Sequence, residues 1–111
     1  MNVAVTGGSG LLGSHLLPAL VARGFTVRAL ARSRPDRALP QIDGVTWIEG
    51  ALDDAASLRA LVEGAGAIVH AAYDPVEEMG AFVRSNVVGT LTLLELASST
   101  SQRQLILSLI H

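Results

Sequence analysis

Short apolar runs alternate along this chain with stretches in which apolar residues recur every third or fourth position. The runs resemble buried parallel strands, and the spaced stretches are typical of amphipathic helices. The pattern predicts strands at 2–6, 25–31, 45–50 and 67–72 and a fifth from 103, with helices at about 11–23, 55–62 and 76–98. This alternation favours an α/β fold with a doubly wound parallel sheet, the Rossmann arrangement. Right-handed crossovers then predict the strand order 3-2-1-4-5.

Four glycines occur where the first strand leads into the first helix, in the stretch TGGSGLLG at 6–13. Gly7 is expected to form a tight turn, Gly10 to let the backbone approach a diphosphate, and Gly13 to let the helix pack closely on the sheet. A second register, Gly8, Gly10 and Gly13 as G-x-G-x-x-G, also fits. A strand before the loop and a helix after it predict dinucleotide binding. A glycine-rich turn without a ligand is the alternative.

The first predicted helix begins at Leu11, so Leu11 and Leu12 supply its first N–H groups. A helix N-terminus presents such groups, together with the positive end of its dipole, to an anion. We therefore expect Leu11 and Leu12 to lie against the cofactor phosphates.

The residues after the second strand predict the choice between NAD and NADP. In RALARSR, Ala31 ends the strand, Arg32 follows it and Arg34 is near, and no Asp or Glu precedes Asp36. An acid at this place would accept the 2′-hydroxyl of NAD, whereas an Arg accommodates the 2′-phosphate of NADP. We therefore expect NADP to be preferred, with a solvated loop position for Arg32 as the alternative.

Composition narrows the classes of function. The 111 residues fit one domain, 50% of them are hydrophobic, and the net charge of -2 without a basic tract argues against nucleic-acid binding. No apolar run approaches the roughly 20 residues that span a bilayer, and no signal-peptide pattern is visible. The chain has no Cys and no Lys, which excludes thiolate, Walker-loop and Schiff-base chemistry. A cytoplasmic protein is expected, without a metal site, because the three His residues lack ligand spacing.

Four ordered motifs resemble one known family: TGGSGLLGSHL, VRALARS, GALDDAASLRALVEGAGAIVHAA and NVVGTLTLLELA. Together they are similar to the N-terminal half of an extended or atypical short-chain dehydrogenase/reductase, of the NAD-dependent epimerase/dehydratase type. The resemblance covers nearly the whole chain. It implies that Leu52 and Asp53 lie beside the adenine, and that His70, Ala71 and Ala72 line the cofactor cleft.

Two further features follow from the same resemblance. Asn86 matches an Asn that holds the long helix against the sheet, whereas Ala51 replaces an acid that the family usually has. The catalytic Tyr-x-x-x-Lys of the family has no counterpart here, because the one Tyr is Tyr73 and no Lys exists. We therefore expect residues 1–111 to be an NAD(P)-binding half-domain without the catalytic Tyr–Lys segment or the substrate domain, and without turnover of its own.

Several charged residues have local explanations that compete with chemical ones. The pair Asp53 and Asp54 could be an acid–base pair, but capping of the second helix explains Asp54 better. Glu77 and Glu78 are expected in the first turn of the long helix, where the helix dipole favours acids. Arg28 could point toward the cleft or could be a half-exposed strand residue.

The fifth strand, RQLILSLIH, is apolar on both faces and would form an edge of the sheet. Such an edge offers unpaired N–H and C=O groups to a partner. We expect a homodimer through 105–110, or docking on the remainder of a parent protein, with the long helix as the next most favoured contact. A catalytically silent module that senses a nucleotide or binds a protein is the alternative function.

Overall fold

A computed structural model describes residues 1–8, 11–32, 38–71, 78–98 and 104–107. Strands and helices alternate along these segments, as the hydrophobic pattern predicts. The strands are β1 (Asn2–Thr6), β2 (Thr26–Ala31), β3 (Val45–Glu49), β4 (Ala67–His70) and β5 (Gln104–Leu107). The helices are α1 (Leu11–Ala22), α2 (Ala55–Val62), α3 (Met79–Phe82) and α4 (Gly89–Ser98), and a π-helical segment, Val83–Val88, joins the last two.

The five strands form one parallel sheet in the order β3-β2-β1-β4-β5. The predicted fold class and strand order are therefore confirmed. The register places Thr6 beside His70 and Ala31 beside Glu49, so the carboxyl ends of neighbouring strands lie level. Every loop that follows a strand consequently leaves from the same edge of the sheet.

Helices cover both faces of the sheet, each over its own apolar cluster. Because side chains alternate along a strand, Val3 and Val5 of β1 face one side and Ala4 faces the other. Val3 and Val5 belong to the cluster that contains Leu17 of α1. Ala4 belongs to the cluster under α2 and α4, which also contains Leu30, Leu58, Leu61, Ile68 and Leu93. This division is the doubly wound arrangement that continuous apolar strands predict.

Several element ends differ from the prediction by one residue, and two larger differences need correction. The fourth strand ends at His70 and not at residue 72, although the N–H of Ala71 still donates to the carbonyl of Thr6 at 3.2 Å. The long helix is not α-helical throughout, because its middle turns, Val83–Val88, are π-helical. Its predicted start at residue 76 lies outside the described segments, as does Ala72. None of the helices in the described segments has the length and the continuous apolar character of a membrane span.

Candidate functional site

The sheet reverses its direction of winding at β1. From β1 the chain passes through α1 to β2 on one side, whereas β4 lies on the other side of β1. α1, which follows β1, and α4, which follows β4, cover opposite faces of the sheet. A sheet wound in this way is expected to have a crevice at its carboxyl edge, beside the ends of β1 and β4. Open parallel sheets bind their ligands in such a crevice. The candidate site is therefore built from the residues that follow the strands here.

The glycine-rich loop leaves β1 through a turn that favours glycine. Gly7 has a φ of +79°, in the left-handed region, which supports its predicted role as the turn residue. Gly8 is buried, and a Cβ there would lie 3.1 Å from the Cβ of Ala29 and 3.3 Å from Cδ1 of Leu17. Gly8 thus permits α1 to approach the sheet closely, the role that the sequence assigned to Gly13.

The backbone after this turn enters a helix as predicted. Leu11, Leu12 and Gly13 form the first turn of the 12-residue helix α1, and Gly10 lies outside the described segments. The turn at Gly7 and the N-terminus of α1 lie at this edge of the sheet, and the first N–H groups of a helix have no partners within it. These residues fit a dinucleotide diphosphate.

Arg32 follows directly after β2, where the sequence places it, and its side chain is exposed. Ala31 ends the strand and is buried, and its carbonyl accepts a hydrogen bond from the N–H of Gly50 at 2.9 Å. This bond brings the loops after β2 and β3 together at the same edge. Arg34 lies outside the described segments.

Arg28 does not face the candidate site. Its guanidinium donates to the carbonyl of Ala60 at 2.9 Å and also to the carbonyl of Glu63. Both carbonyls belong to the C-terminal end of α2, where carbonyl groups lack partners within the helix and a cation is favoured. Arg28 therefore caps α2 at the opposite edge of the sheet, and the alternative cleft position is wrong.

The loop after β3 brings one buried and two exposed residues to the site. Leu52 is buried in the cluster under α2 and α4, and Asp53 is exposed. Asp54 is the N-cap of α2: it accepts from the N–H of Ala56 at 3.1 Å and from the hydroxyl of Ser57 at 2.6 Å. The Ser57 hydrogen bond is the main cause that lowers the pKa of Asp54. The interpretation of Asp54 as the cap of α2 is therefore confirmed, and its carboxylate oxygens already accept hydrogen bonds from Ala56 and Ser57.

His70 is buried at the end of β4, and both of its ring nitrogens have partners. Nδ1 lies 2.6 Å from Oγ1 of Thr6, and Nε2 lies 2.9 Å from Oγ1 of Thr90. Burial lowers the pKa of His70, which favours the neutral ring. The family resemblance assigns His70 to the lining of the cofactor cleft and does not identify Thr6 and Thr90 as its partners. Neither threonine belongs to a motif that would signal such a contact.

A second close contact joins the long helix to the loop after β3. A Cβ on Gly89 would lie 2.4 Å from the carbonyl oxygen of Leu52, so only glycine fits at this position. Asn86, which the resemblance assigns to anchoring this helix, is half-buried in the π segment. In the described part of the chain no group of three or more His, Asp or Glu residues is arranged to hold a metal ion.

Comparison with known proteins agrees with this geometry. Residues 3–108 match the model of the NAD dependent epimerase/dehydratase family. A farnesyl-dihydroquinoline-oxide ketoreductase from Stigmatella aurantiaca is 42% identical over 99 residues, which are 87% of this chain and 30% of that protein.

Two solved structures share the fold. A mutant uronate dehydrogenase from Agrobacterium tumefaciens complexed with NAD has a TM-score of 0.76 at 27% identity, covering 96% of this chain and 40% of that one. The Thermus thermophilus UDP-glucose 4-epimerase complex with NAD has a TM-score of 0.74 at 28% identity, covering 95% and 36%. The chain thus spans less than half the length of each of these proteins. It belongs to the NAD-dependent epimerase/dehydratase family, within the short-chain dehydrogenase/reductase superfamily.

Proposed function

We propose that this chain is the cofactor-binding N-terminal part of a short-chain reductase or epimerase, and that it binds NADP in preference to NAD. The observation that carries the proposal is the turn at Gly7, which leads from the central strand into the N-terminus of α1 at the point where the sheet reverses. Backbone N–H groups there suit a diphosphate, and the helix dipole adds a favourable potential for its negative charge.

The cofactor would lie along the carboxyl edge of the sheet. Its diphosphate would contact the loop and first helical turn, its adenosine the loops after β2 and β3, and its nicotinamide half the segment after β4. The residues assigned to these three parts are, in order, Gly7, Gly10, Leu11, Leu12 and Gly13; Arg32, Leu52 and Asp53; and His70, Ala71 and Ala72.

Arg32 supports the preference for NADP. It is exposed at the end of β2, and its planar guanidinium can donate two hydrogen bonds to a phosphate. No acid between Met1 and Asp36 is available to accept a ribose hydroxyl at this place. The two solved relatives described above contain NAD, so the preference is a specific claim about this chain.

The activity of a full-length protein would be hydride transfer to or from a carbonyl group. Relatives with matching sequence include the ketoreductase above, a putative dihydroflavonol 4-reductase and a sterol-4-alpha-carboxylate 3-dehydrogenase. These names favour a sugar, flavonoid-like or steroid-like substrate. The 111 residues alone would bind cofactor without turnover, because Tyr73 has no Lys in the family's spacing and the sequence has no Lys at all.

The partner would be a second copy of the chain or the remainder of the parent protein. Among the described strands β5 lies at an edge of the sheet, next to β4 only, and an edge of this kind can pair with another strand. We also propose a cytoplasmic location, which agrees with a sequence that uses no Cys. A catalytically silent module that senses a nucleotide or binds a protein is the second candidate, and it would bind a protein through the edge of β5.

A titration of the purified chain with NADPH and NADH tests the proposal. The wild type should bind NADPH about 10–100-fold more tightly, the range expected for one charge-assisted phosphate contact. Arg32→Asp should reverse the preference. Arg59→Asp is the matched control, because Arg59 is exposed in the last turn of α2, at the opposite edge of the sheet. Equal affinity of the wild type for both cofactors would refute the role of Arg32.

The same samples test cofactor binding and catalytic silence separately. Failure to bind either dinucleotide would refute the binding function itself. The absorbance of bound NADPH should stay constant when carbonyl substrates are added. Steady oxidation of NADPH by the pure chain would show that the chain is catalytic despite its missing Tyr–Lys pair.

A further inference from the structure

A chain of hydrogen bonds connects three elements at the candidate site. His70, at the end of β4, stands between Thr6, at the end of β1, and Thr90, in the first turn of α4. The distances are 2.6 Å on the Thr6 side and 2.9 Å on the Thr90 side. Thr6 is fully buried and His70 is 6% exposed, so bulk water does not compete for the contact between them, whereas the contact with Thr90 is part-buried.

The partners of Thr90 set the direction of each bond. A threonine hydroxyl has a single proton, and Thr90 donates it to the carbonyl of Asn86 at 2.7 Å. Oγ1 of Thr90 must therefore accept from Nε2–H of His70. A neutral imidazole carries one N–H, so Nδ1 is bare and accepts from the hydroxyl of Thr6.

We propose that His70 is a positioning residue, held as the neutral Nε2–H tautomer, that ties the long helix to the carboxyl ends of β1 and β4. Thr6 directly precedes Gly7, and His70 directly precedes Ala71, so the bridge holds both segments that flank the crevice. The effect on cofactor rests on the proposed function, whereas the tautomer and the anchoring of the helix do not. His70 thus acts on the cofactor through the backbone around it and not through its ring nitrogens.

A ring of this kind resists protonation. An imidazolium would have to donate from Nδ1 as well, and the hydroxyl of Thr6 would then have to turn its proton away inside a buried site. Protonation would therefore break the hydrogen bond that Nδ1 accepts from Thr6. Burial, which lowers the pKa of His70, acts in the same direction.

Long-range proton–nitrogen NMR spectra of the ¹⁵N-labelled chain test the tautomer directly. At neutral pH the wild type should show His70 as a single Nε2–H tautomer, with the exposed His15 as the internal reference. Thr90→Val removes the acceptor of Nε2–H and should produce mixed tautomers. Thr90→Ser keeps the hydroxyl and should restore the wild-type spectrum.

Thr92→Val is the matched control for this substitution. Thr92 lies in the same helix and donates the same kind of bond, to the carbonyl of Val88 at 3.0 Å, in contact with solvent. This variant should leave the spectrum of His70 unchanged. Loss of the single tautomer in Thr92→Val as well as in Thr90→Val would assign the effect to general loosening of the helix and overturn the bridge.

Cofactor titration supplies the second readout. NADPH should bind about tenfold more weakly to Thr90→Val, the size expected when a buried donor loses its partner. Binding to Thr90→Ser and Thr92→Val should stay within about twofold of the wild type. If the wild type binds no dinucleotide but shows the Nε2–H tautomer, the proposed function fails and the bridge stands.

Two results would overturn the inference. One is an Nδ1–H tautomer, or a mixture, in the wild type, a measurement that needs no variant to fold. The other is a Thr90→Val chain that keeps its β-sheet circular dichroism and binds NADPH as tightly as the wild type.

Discussion

Three charged side chains cap the ends of helices, and these hydrogen bonds explain their presence without a catalytic role. Asp54 caps the start of α2, Arg28 caps its end, and Glu78 caps the start of the long helix through the N–H groups of Gly80 and Ala81. Glu78 is therefore the N-cap of that helix and not a first-turn residue, a correction to the prediction. These backbone hydrogen bonds are the main cause that lowers the pKa of Glu78.

Asp54→Ala tests a cap at the residue scale. Without its carboxylate, the N–H of Ala56 and the hydroxyl of Ser57 lose their acceptor, so Tm should fall by about 5 °C. Asp53→Ala is the matched control, because Asp53 is the exposed neighbour of the same type, and its Tm should change little. Thermal unfolding followed by circular dichroism measures both, and an equal loss in the two variants would contradict the assignment of the cap.

The same comparison has a definite pH dependence. Hydrogen bonds lower the pKa of Asp54 in the folded chain, so the unfolded chain takes up a proton more readily. The contribution of the Asp54 carboxylate to the stability of the folded chain is therefore complete above the ordinary Asp pKa of about 4. It is lost as the pH falls through the lower pKa that Asp54 has in the folded chain. The Tm difference between the wild type and Asp54→Ala should shrink accordingly below about pH 4.

At the scale of elements, close approaches between backbones set how the long helix sits on the sheet. Gly89 begins α4 and faces the carbonyl of Leu52, and the π segment lies immediately before it. π-helical turns inside α-helices are frequent at functional sites. Here the π segment contains Asn86, whose carbonyl accepts a hydrogen bond from the hydroxyl of Thr90. The π segment and the hydrogen bonds of His70 are therefore directly connected.

Gly89→Ala should destabilise the chain by about 1–3 kcal/mol, because a Cβ would meet backbone that cannot give way. Glycine to alanine inside a helix otherwise stabilises by roughly 0.5–1 kcal/mol. Gly80→Ala supplies that comparison, since the nearest atoms to its new Cβ are the ends of the Glu78 and Arg84 side chains. Urea unfolding measures both free energies, and a stabilised Gly89→Ala chain would show that the contact with Leu52 yields easily.

The whole molecule exposes apolar surface on the long helix as well as a strand edge. Val83, Val87, Val88 and Leu91 are 38–52% exposed, which is unusual for a contiguous apolar set on a monomer. These four residues form an apolar stripe, which agrees with the expectation that the long helix is the next most favoured contact with a partner. The edge of β5 is the primary one, because it offers backbone hydrogen bonds in addition to apolar area.

Light scattering at micromolar concentration should therefore give twice the mass of one chain. Ile106→Lys places a charge in β5 and should weaken the dimer. The dissociation constant of the dimer should rise by about tenfold or more. Val87→Lys adds the same charge to the stripe on the long helix and should have a smaller effect. A larger effect of Val87→Lys would move the interface to the helix, and a monomeric wild type would contradict the dimer.

The sequence by itself determined the elements, their order in the sheet and the position of the glycine loop. Periods of 2 and 3.6 residues are local, and the handedness of crossovers restricts alternating strands to a few orders, of which 3-2-1-4-5 is the Rossmann order. Asp54 could be assigned as a cap for the same reason, since a cap bonds to residues two or three positions away. Arg32 could be placed after β2 because the end of a strand is a local property.

Only the tertiary structure decided which distant residues meet. Thr6 and Thr90 lie 64 and 20 positions from His70, and Arg28 lies 32 and 35 positions from the carbonyls that it caps. The roles of Gly8 and Gly89 likewise depend on Ala29, Leu17 and Leu52, which approach them only after the helices dock on the sheet. Such contacts depend on how closely the helices pack on the sheet. The order of residues along the chain does not specify the distance between a helix and the sheet that it covers.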